Sequence, residues 1–193
     1  MKLTYPHLSL RSFALSYEDL PAFHAAYFML VVIFAGLCNL GFFAAVIALH
    51  LAIDVFKYHT VQKMKPHETF IAVFRENLTD LALFFLALSS VVFLHPELPS
   101  IAILTGSSLN HVTIMRGLAV LLPKLTILHH SVRILFHLSG HIHAKNVRLI
   151  SGWTLTECLS FAVLLIALFL LVLAPPILHL TPEQFQSLLG TQL

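Results

Sequence analysis

Charged side chains are scarce in this sequence. Lysine and arginine together number 11, and aspartate and glutamate number 9, which makes 10% of the 193 residues. Because a soluble domain averages about 25% charged residues, this chain has too few to cover a water-facing surface. Hydrophobic residues make up 58%, and the mean hydropathy is +0.88. The composition therefore indicates an integral membrane protein in contact with the lipid bilayer.

Other absences exclude further classes of protein. The two cysteines, Cys38 and Cys158, both lie in apolar runs, so a disulfide framework is not indicated. The net charge of +2 is too small to favour a nucleic-acid partner, and the sequence has no DNA- or RNA-binding motif. It also has no G-x-S-x-G, P-loop or G-x-G-x-x-G motif. Whether the chain is an enzyme stays open at this point.

Long apolar stretches dominate what is present. A helix needs roughly 20 apolar residues to cross the core of a bilayer. We predict an all-α polytopic membrane helical bundle, a single domain over residues 1–193, with four main transmembrane helices, two of them extended beyond the membrane core. The predicted helices cover residues 24–60, 67–94, 101–143 and 152–174. Residues 1–23 are predicted as an interfacial segment and residues 177–193 as a C-terminal tail.

Prolines mark the expected interruptions of these helices. Pro66 follows a basic turn and predicts the boundary of the second helix. Pro123 predicts a kink in the third helix, and Pro175 predicts that the fourth helix ends just before it. For residues 101–111, which include a run of small polar side chains, a helix and a broken segment are both compatible with the sequence.

Basic residues predict the orientation in the membrane. They flank two of the three connecting turns, at Lys57, Lys63, Lys65, Arg75, Lys145 and Arg148. The turn at residues 95–100 has no lysine or arginine. The positive-inside rule therefore predicts that both basic hairpins lie in the cytoplasm and that both termini lie on the non-cytoplasmic side of a multi-pass protein.

The most distinctive stretch is residues 128–143, which read LHHSVRILFHLSGHIH and hold five of the 13 histidines. At about 100° per residue, five of its polar side chains share roughly a third of a helix circumference. These are His129, His130, Arg133, His137 and His141. Ionisable groups at membrane depth are energetically costly and usually functional. The pattern therefore predicts that this histidine face is directed at the interior of the bundle.

Carboxylates and a further histidine are expected at the same depth. His50 and Asp54 lie at the inner end of the first helix, and Glu76 and Asp80 lie near the start of the second. The i,i+4 spacing places the members of each pair on one helix face. Glu157 lies in the first turn of the fourth helix. All four helices are thus predicted to bring a histidine or a carboxylate to a similar level.

Imidazole and carboxylate side chains together favour a transition metal ion, with iron, zinc, manganese or copper as the candidates. Helical bundles hold such ions with side chains that project inward from several helices, although the Glu-x-x-His signature of the di-iron bundles is absent here. The predicted metal ligands are His50, Asp54, Glu76, Asp80, His129, His130, His137, His141 and Glu157. Among them we expect Asp54, Glu76 and His130 to approach one another.

A b-type haem is the alternative cofactor. Such a haem requires two histidines at matched depth on different helices. His50 or His59, together with His130 or His137, meets this requirement on the predicted topology. Arg133 would then pair with a haem propionate.

The first predicted function is therefore binding of a metal ion or haem at the cytoplasmic end of the bundle, for redox chemistry. A proton- or cation-conducting component is the second, because chains of Asp, Glu and His line such paths. The third predicted function is that of a structural subunit of a membrane complex. In that case the acidic side chains only neutralise basic ones such as Arg133. The sequence leaves open whether the chain forms a homo-oligomer or belongs to a larger membrane complex.

Overall fold

The computed structural model describes residues 21–95, 109–143 and 152–193. Within these ranges every regular element is helical. The helices are α1 (Pro21–Leu37), α2 (Leu40–Val55), a π-helical turn (Phe56–Val61), α3 (Pro66–Phe93), α4 (Leu109–Phe136), α5 (Leu138–His143), α6 (Leu155–Leu178) and α7 (Pro182–Gly190). Most of the predicted interfacial segment, the start of the predicted third helix and the second basic turn lie outside the described residues.

Four of the helical segments are long and apolar enough to cross a membrane. They are Leu40–Val61, Pro66–Phe93, His111–Phe136 and Leu155–Leu178. Many large apolar side chains on them are exposed in the isolated chain, as expected of surfaces that contact lipid tails. The predicted all-α membrane bundle with four main helices is confirmed, and the chain is a multi-pass membrane protein.

The first predicted helix, over residues 24–60, is divided into two. α1 ends at Leu37, and α2 begins at Leu40 with Asn39 as its N-cap. The Asn39 side chain accepts a hydrogen bond from the backbone N–H of Phe42 at 3.0 Å, which satisfies a donor that has no partner at the start of a helix. The Lys124 ammonium donates to the carbonyl of Cys38 at 2.7 Å. The membrane-spanning segment therefore begins after this break.

One predicted proline effect, the end of the fourth helix before Pro175, differs from the structure, and the kink predicted at Pro123 stays a prediction. α4 continues through Pro123 and ends at Phe136. α6 continues through Pro175 and ends at Leu178, so the predicted end at residue 174 is too early. The proline φ angle is compatible with a helix, and in membrane helices local adjustments satisfy the carbonyls that a proline leaves free. The left-handed conformation of His179, with φ of 52°, is what ends α6.

α3 is the central helix, and α2, α4 and α6 all pack against it. Small polar side chains allow α6 to approach it closely: Thr79 contacts Ser160 at 3.0 Å, and the Ser89 hydroxyl donates to the carbonyl of Ala167 at 3.0 Å. The order of these contacts shows that α3 and α6 run parallel. A central helix with three neighbours brings its polar side chains within reach of each of them.

The segment that follows α7 contacts the start of α2. The N–H of Leu40 donates to the carbonyl of Gln192 at 2.9 Å, and the Asn39 amide donates to the carbonyl of Leu193 at 3.2 Å. Gly41 lies against the Leu193 backbone so closely that a Cβ there would collide with the Leu193 carbonyl oxygen. These contacts satisfy a backbone donor of α2 that has no partner within the helix.

Gly41→Ala is expected to release residues 191–193 from α2, because the added methyl and the Leu193 carbonyl cannot occupy the same space. The result should be faster proteolytic cleavage after α7 in detergent-solubilised protein. Gly36→Ala is the matched control, since a Cβ at Gly36 meets nothing within 4 Å. Equal cleavage rates of the two variants would contradict the docking of this segment.

Candidate metal centre

Five of the predicted metal ligands form one cluster. α2 contributes His50 and Asp54, α3 contributes Asp80, α4 contributes His130 and α5 contributes His141. The i,i+4 spacing places His50 and Asp54 on the face of α2 that packs against α3, where both are buried. The structure thus brings distant parts of the chain into one polar centre, in which His50 and His141 are 91 positions apart.

The first part of the cluster is built around the Asp54 carboxylate. Its Oδ1 lies 2.8 Å from Nε2 of His141, and its Oδ2 lies 3.3 Å from Nε2 of His50. The Asn77 amide donates to the same Oδ2 at 2.6 Å and to the carbonyl of Val73 at 3.0 Å. The amide therefore fixes the rotation of the carboxylate, as outer-shell partners do in metal sites.

The second part is built around the Asp80 carboxylate. Its Oδ2 lies 2.8 Å from Nδ1 of His130 and 3.4 Å from Nδ1 of His50. Asp80 is 2% exposed. His50 thus joins both parts of the cluster, with one ring nitrogen towards each carboxylate.

Among the described residues, the buried imidazole of His50 has no hydrogen-bond partner. The residue is 3% exposed, yet neither of its ring nitrogens has hydrogen-bond geometry with any atom of the described part of the chain. A buried polar group without a partner costs about 1–3 kcal/mol, so such a group usually has a functional explanation. Its contacts with the two carboxylates are close enough for electrostatic attraction but are poorly directed.

The cluster favours cations. Its two carboxylates, Asp54 and Asp80, are both buried. The groups that contact these carboxylates are imidazoles and the Asn77 amide. In the sets His50, Asp54, His141 and His50, Asp80, His130, one ligand atom from each residue lies within 4.8 Å of the others. Both sets have the geometry to hold a metal ion.

The other residues of the predicted histidine face lie outside the cluster. His129 is exposed and lies 3.2 Å from the Tyr27 hydroxyl of α1. His137 and Arg133 are exposed. α4 ends at Phe136, and α5 begins at Leu138, so the angular phase of a continuous helix does not extend past His137. His141, which follows this break, lies 2.8 Å from Asp54.

Glu76, a predicted metal ligand, lies beside the cluster in an ion pair. Its carboxylate accepts from the Lys57 ammonium at 3.0 and 3.1 Å and from the Tyr58 hydroxyl at 2.5 Å. Lys57 and Tyr58 belong to the π-helical turn, which places both of these consecutive side chains in buried positions. Glu76 is therefore not among the residues that the structure groups around His50.

Glu157, also a predicted ligand, pairs with Arg75. The guanidinium Nε and Nη2 donate to its two carboxylate oxygens at 3.0 Å each. Glu157 also accepts from the Thr154 N–H at 2.7 Å in the capping box that begins α6. Bidentate pairs of this kind have defined geometry, and this pair joins α3 to α6.

Sequence reasoning missed three residues that shape the centre. Asn77 was the easiest to find, because it lies three positions before Asp80 and four after Val73, on the same face of α3. The contributions of Lys57 and Tyr58 depend on a π-helical turn that no pattern in the sequence signals. Lys57 and Tyr58 both donate to the Glu76 carboxylate and so compete with a metal ion for its oxygens.

Comparison of the chain with protein-family models, with characterised proteins and with solved structures gave no match. The function has to be inferred from the side chains of the cluster and their geometry.

Proposed function

We propose that this membrane protein binds a transition metal ion at the cluster around His50. The observation that carries the proposal is the buried His50 imidazole, which lacks a hydrogen-bond partner among residues 21–95, 109–143 and 152–193 while each ring nitrogen faces a carboxylate. A metal ion between His50 and a carboxylate would provide the partner that the imidazole lacks.

The two contacts of His50 have distances that suit a shared ion better than a hydrogen bond, whereas His130 and His141 contact the carboxylates at the hydrogen-bond distance of 2.8 Å. Ligand atoms that share a zinc ion at about 2.0–2.2 Å are about 3.0–3.5 Å apart. The nitrogen–oxygen distances from His50, 3.3 Å to Asp54 and 3.4 Å to Asp80, fall in that range. Hydrogen bonds between nitrogen and oxygen are centred near about 2.9–3.0 Å.

The ligand types restrict the metal. Each set has two imidazoles and one carboxylate, the combination of mononuclear iron(II) sites with open positions and of catalytic zinc sites. Three protein ligands leave a position for a water molecule or a substrate. Iron would supply redox chemistry there, whereas zinc would act only as a Lewis acid. We therefore propose iron first, with zinc, manganese and copper as the other candidates.

Two alternative functions have less support from this geometry. A bis-histidine haem would have to lie between its two ligand rings, but the ring centroids of His50 and His130 are 5.1 Å apart and the rings are in edge contact. A proton-conducting path through the cluster would need hydrogen bonds on both sides of His50, and neither contact has the required geometry.

Metal binding is tested on purified protein in detergent after chelator treatment. Fe(II), Zn(II), Mn(II) and Cu(II) are added separately, and bound metal and melting temperature are measured. We expect at least one ion to bind and to raise the melting temperature, because a ligand at 100 times its Kd stabilises the folded state by about 2.7 kcal/mol. His50→Ala should bind metal at least about tenfold more weakly.

His129→Ala is the matched control, because His129 lies in the same histidine-rich stretch but contacts Tyr27 outside the cluster. It should keep both the bound metal and the thermal shift. A parent protein that binds none of the four ions, with an unchanged melting temperature in each, would show that the cluster is a buried network of histidines and acids.

A further inference from the structure

The two nitrogens of His50 are directed at two different carboxylates. Nε2 lies 3.3 Å from Asp54, and Nδ1 lies 3.4 Å from Asp80. The lone pairs of an imidazole diverge in the plane of the ring, so one metal ion cannot bind both nitrogens. An ion on either nitrogen leaves the other nitrogen facing a second carboxylate.

Each carboxylate also has a second histidine of its own. Asp54 is 2.8 Å from His141, and Asp80 is 2.8 Å from His130. The second histidines come from separate helices, α5 and α4, and they contact different carboxylates. The cluster therefore contains two complete sets of two histidines and one carboxylate, and His50 is the one member that they share.

We propose that the cluster holds two metal ions at once, with the His50 imidazole as the bridge between them. This inference rests on the proposed metal-binding function and assigns a second ion to it. One ion is bound by Nε2 of His50 with Asp54 and His141, and the other by Nδ1 of His50 with Asp80 and His130.

Two carboxylates balance the charge of one divalent ion, so a second ion requires further negative charge. Two divalent ions bring four positive charges, and Asp54, Asp80 and a deprotonated His50 bring three negative ones. The residual charge is one positive charge, which a bound hydroxide or an anionic substrate group would neutralise. A single divalent ion would leave one complete set of ligands, with its own carboxylate, facing no cation.

The bridge has a defined proton balance. A neutral imidazole has one N–H, and the first ion binds the nitrogen without it. When the second ion binds, that N–H bond breaks, a nitrogen–metal bond forms and the proton passes to the buffer. One proton per chain is therefore released from His50 with the second ion, and no electron is transferred.

The competing arrangement is a protonated His50 that donates to both carboxylates. It would place an N–H towards Asp54 and another towards Asp80, and charge-assisted hydrogen bonds of that kind are short, at about 2.7–2.9 Å. Both contacts of His50 are longer than this, at 3.3 and 3.4 Å, and neither has hydrogen-bond geometry. These two contacts therefore lack the geometry of charge-assisted hydrogen bonds.

Copper(II) is the probe that separates the outcomes, because two Cu(II) ions joined by an imidazolate are magnetically coupled. The full chain in detergent is titrated with Cu(II), and bound copper, electron paramagnetic resonance intensity and released protons are measured. We expect two bound ions per chain. The resonance intensity should rise with the first equivalent and fall with the second, while an additional proton is released.

The variants assign each ion to its carboxylate. Asp54→Asn and Asp80→Asn should each bind one copper with full resonance intensity, and His129→Ala should behave as the parent. Melting temperatures of the variants without metal show whether each is folded. The titration of the parent decides the question even if one variant is unstable.

Saturation at a single ion would overturn the second ion and leave the proposed metal-binding function intact. Two ions with full resonance intensity would overturn the bridge, since the ions would then be uncoupled. A parent protein that binds no copper and none of the other three metals would overturn both proposals together.

Discussion

Glu76→Gln is expected to lower the free energy of unfolding by about 3–5 kcal/mol, the usual cost of removing one partner of a buried ion pair. Lys57 is 1% exposed, and its ammonium lies 3.0 and 3.1 Å from the Glu76 carboxylate oxygens. The variant keeps the size of the side chain but leaves the ammonium buried without an opposite charge. Chemical or thermal unfolding in detergent measures the loss.

The double variant Lys57→Met with Glu76→Gln should recover part of this loss, because neither charge is then buried. The metal content of Glu76→Gln should equal that of the parent, since the structure places Glu76 with Lys57 and Tyr58 instead of with His50. If Glu76→Gln has the same free energy of unfolding as the parent, the ion pair with Lys57 is contradicted. If it also binds no metal, Glu76 is a metal ligand, as the sequence predicted.

Arg75→Met is expected to lower the free energy of unfolding by about 1.5–3 kcal/mol, the range for hydrogen bonds to charged groups. The side chains of Arg75 and Glu157 are 9% and 15% exposed, and the pair is bidentate. Arg75 also donates to the carbonyl of Gly152 at 3.3 Å and lies over the ring of Trp153. Its loss should therefore weaken the contact between α3 and the start of α6.

The matched control is Arg133→Met. Arg133 is exposed, so its removal should change stability by no more than about 0.5 kcal/mol. Combining Arg75→Met with Glu157→Gln should restore part of the loss of the single variant. If Arg133→Met proved to be the more destabilising of the two single changes, the sequence-based expectation of a buried acid partner for Arg133 would hold instead.

The positions of the spanning helices could be predicted because hydropathy is a property of local sequence. A run such as Leu155–Leu178 can satisfy its backbone in a bilayer only as a helix, whatever it packs against. The break at Asn39 was harder to predict from the sequence than the spans. A single capping residue in an apolar run is a weak signal, and at this break Lys124 and Gln192, both distant in sequence, bond to the backbone.

The residues of the cluster could be predicted only in part from the sequence. The i,i+4 spacing of His50 and Asp54, and the depth of Asp80 and His130, were sufficient to expect these residues in one polar site. Depth alone, however, also placed Glu76 within reach. Which base pairs with which acid depends on the rotation of each helix about its axis, and that rotation is set by packing between helices.

By itself, the sequence determined that this is a helical membrane protein, and it predicted that a set of histidines and carboxylates lies at one end of the spans. Apolar length and helical periodicity carry that information residue by residue. Only the tertiary structure decided that His50 lies between two carboxylates, that His141 reaches Asp54 and that Lys57 binds Glu76. The physical reason is that these contacts join separate helical segments, whose relative rotation is set by how they pack against one another on α3.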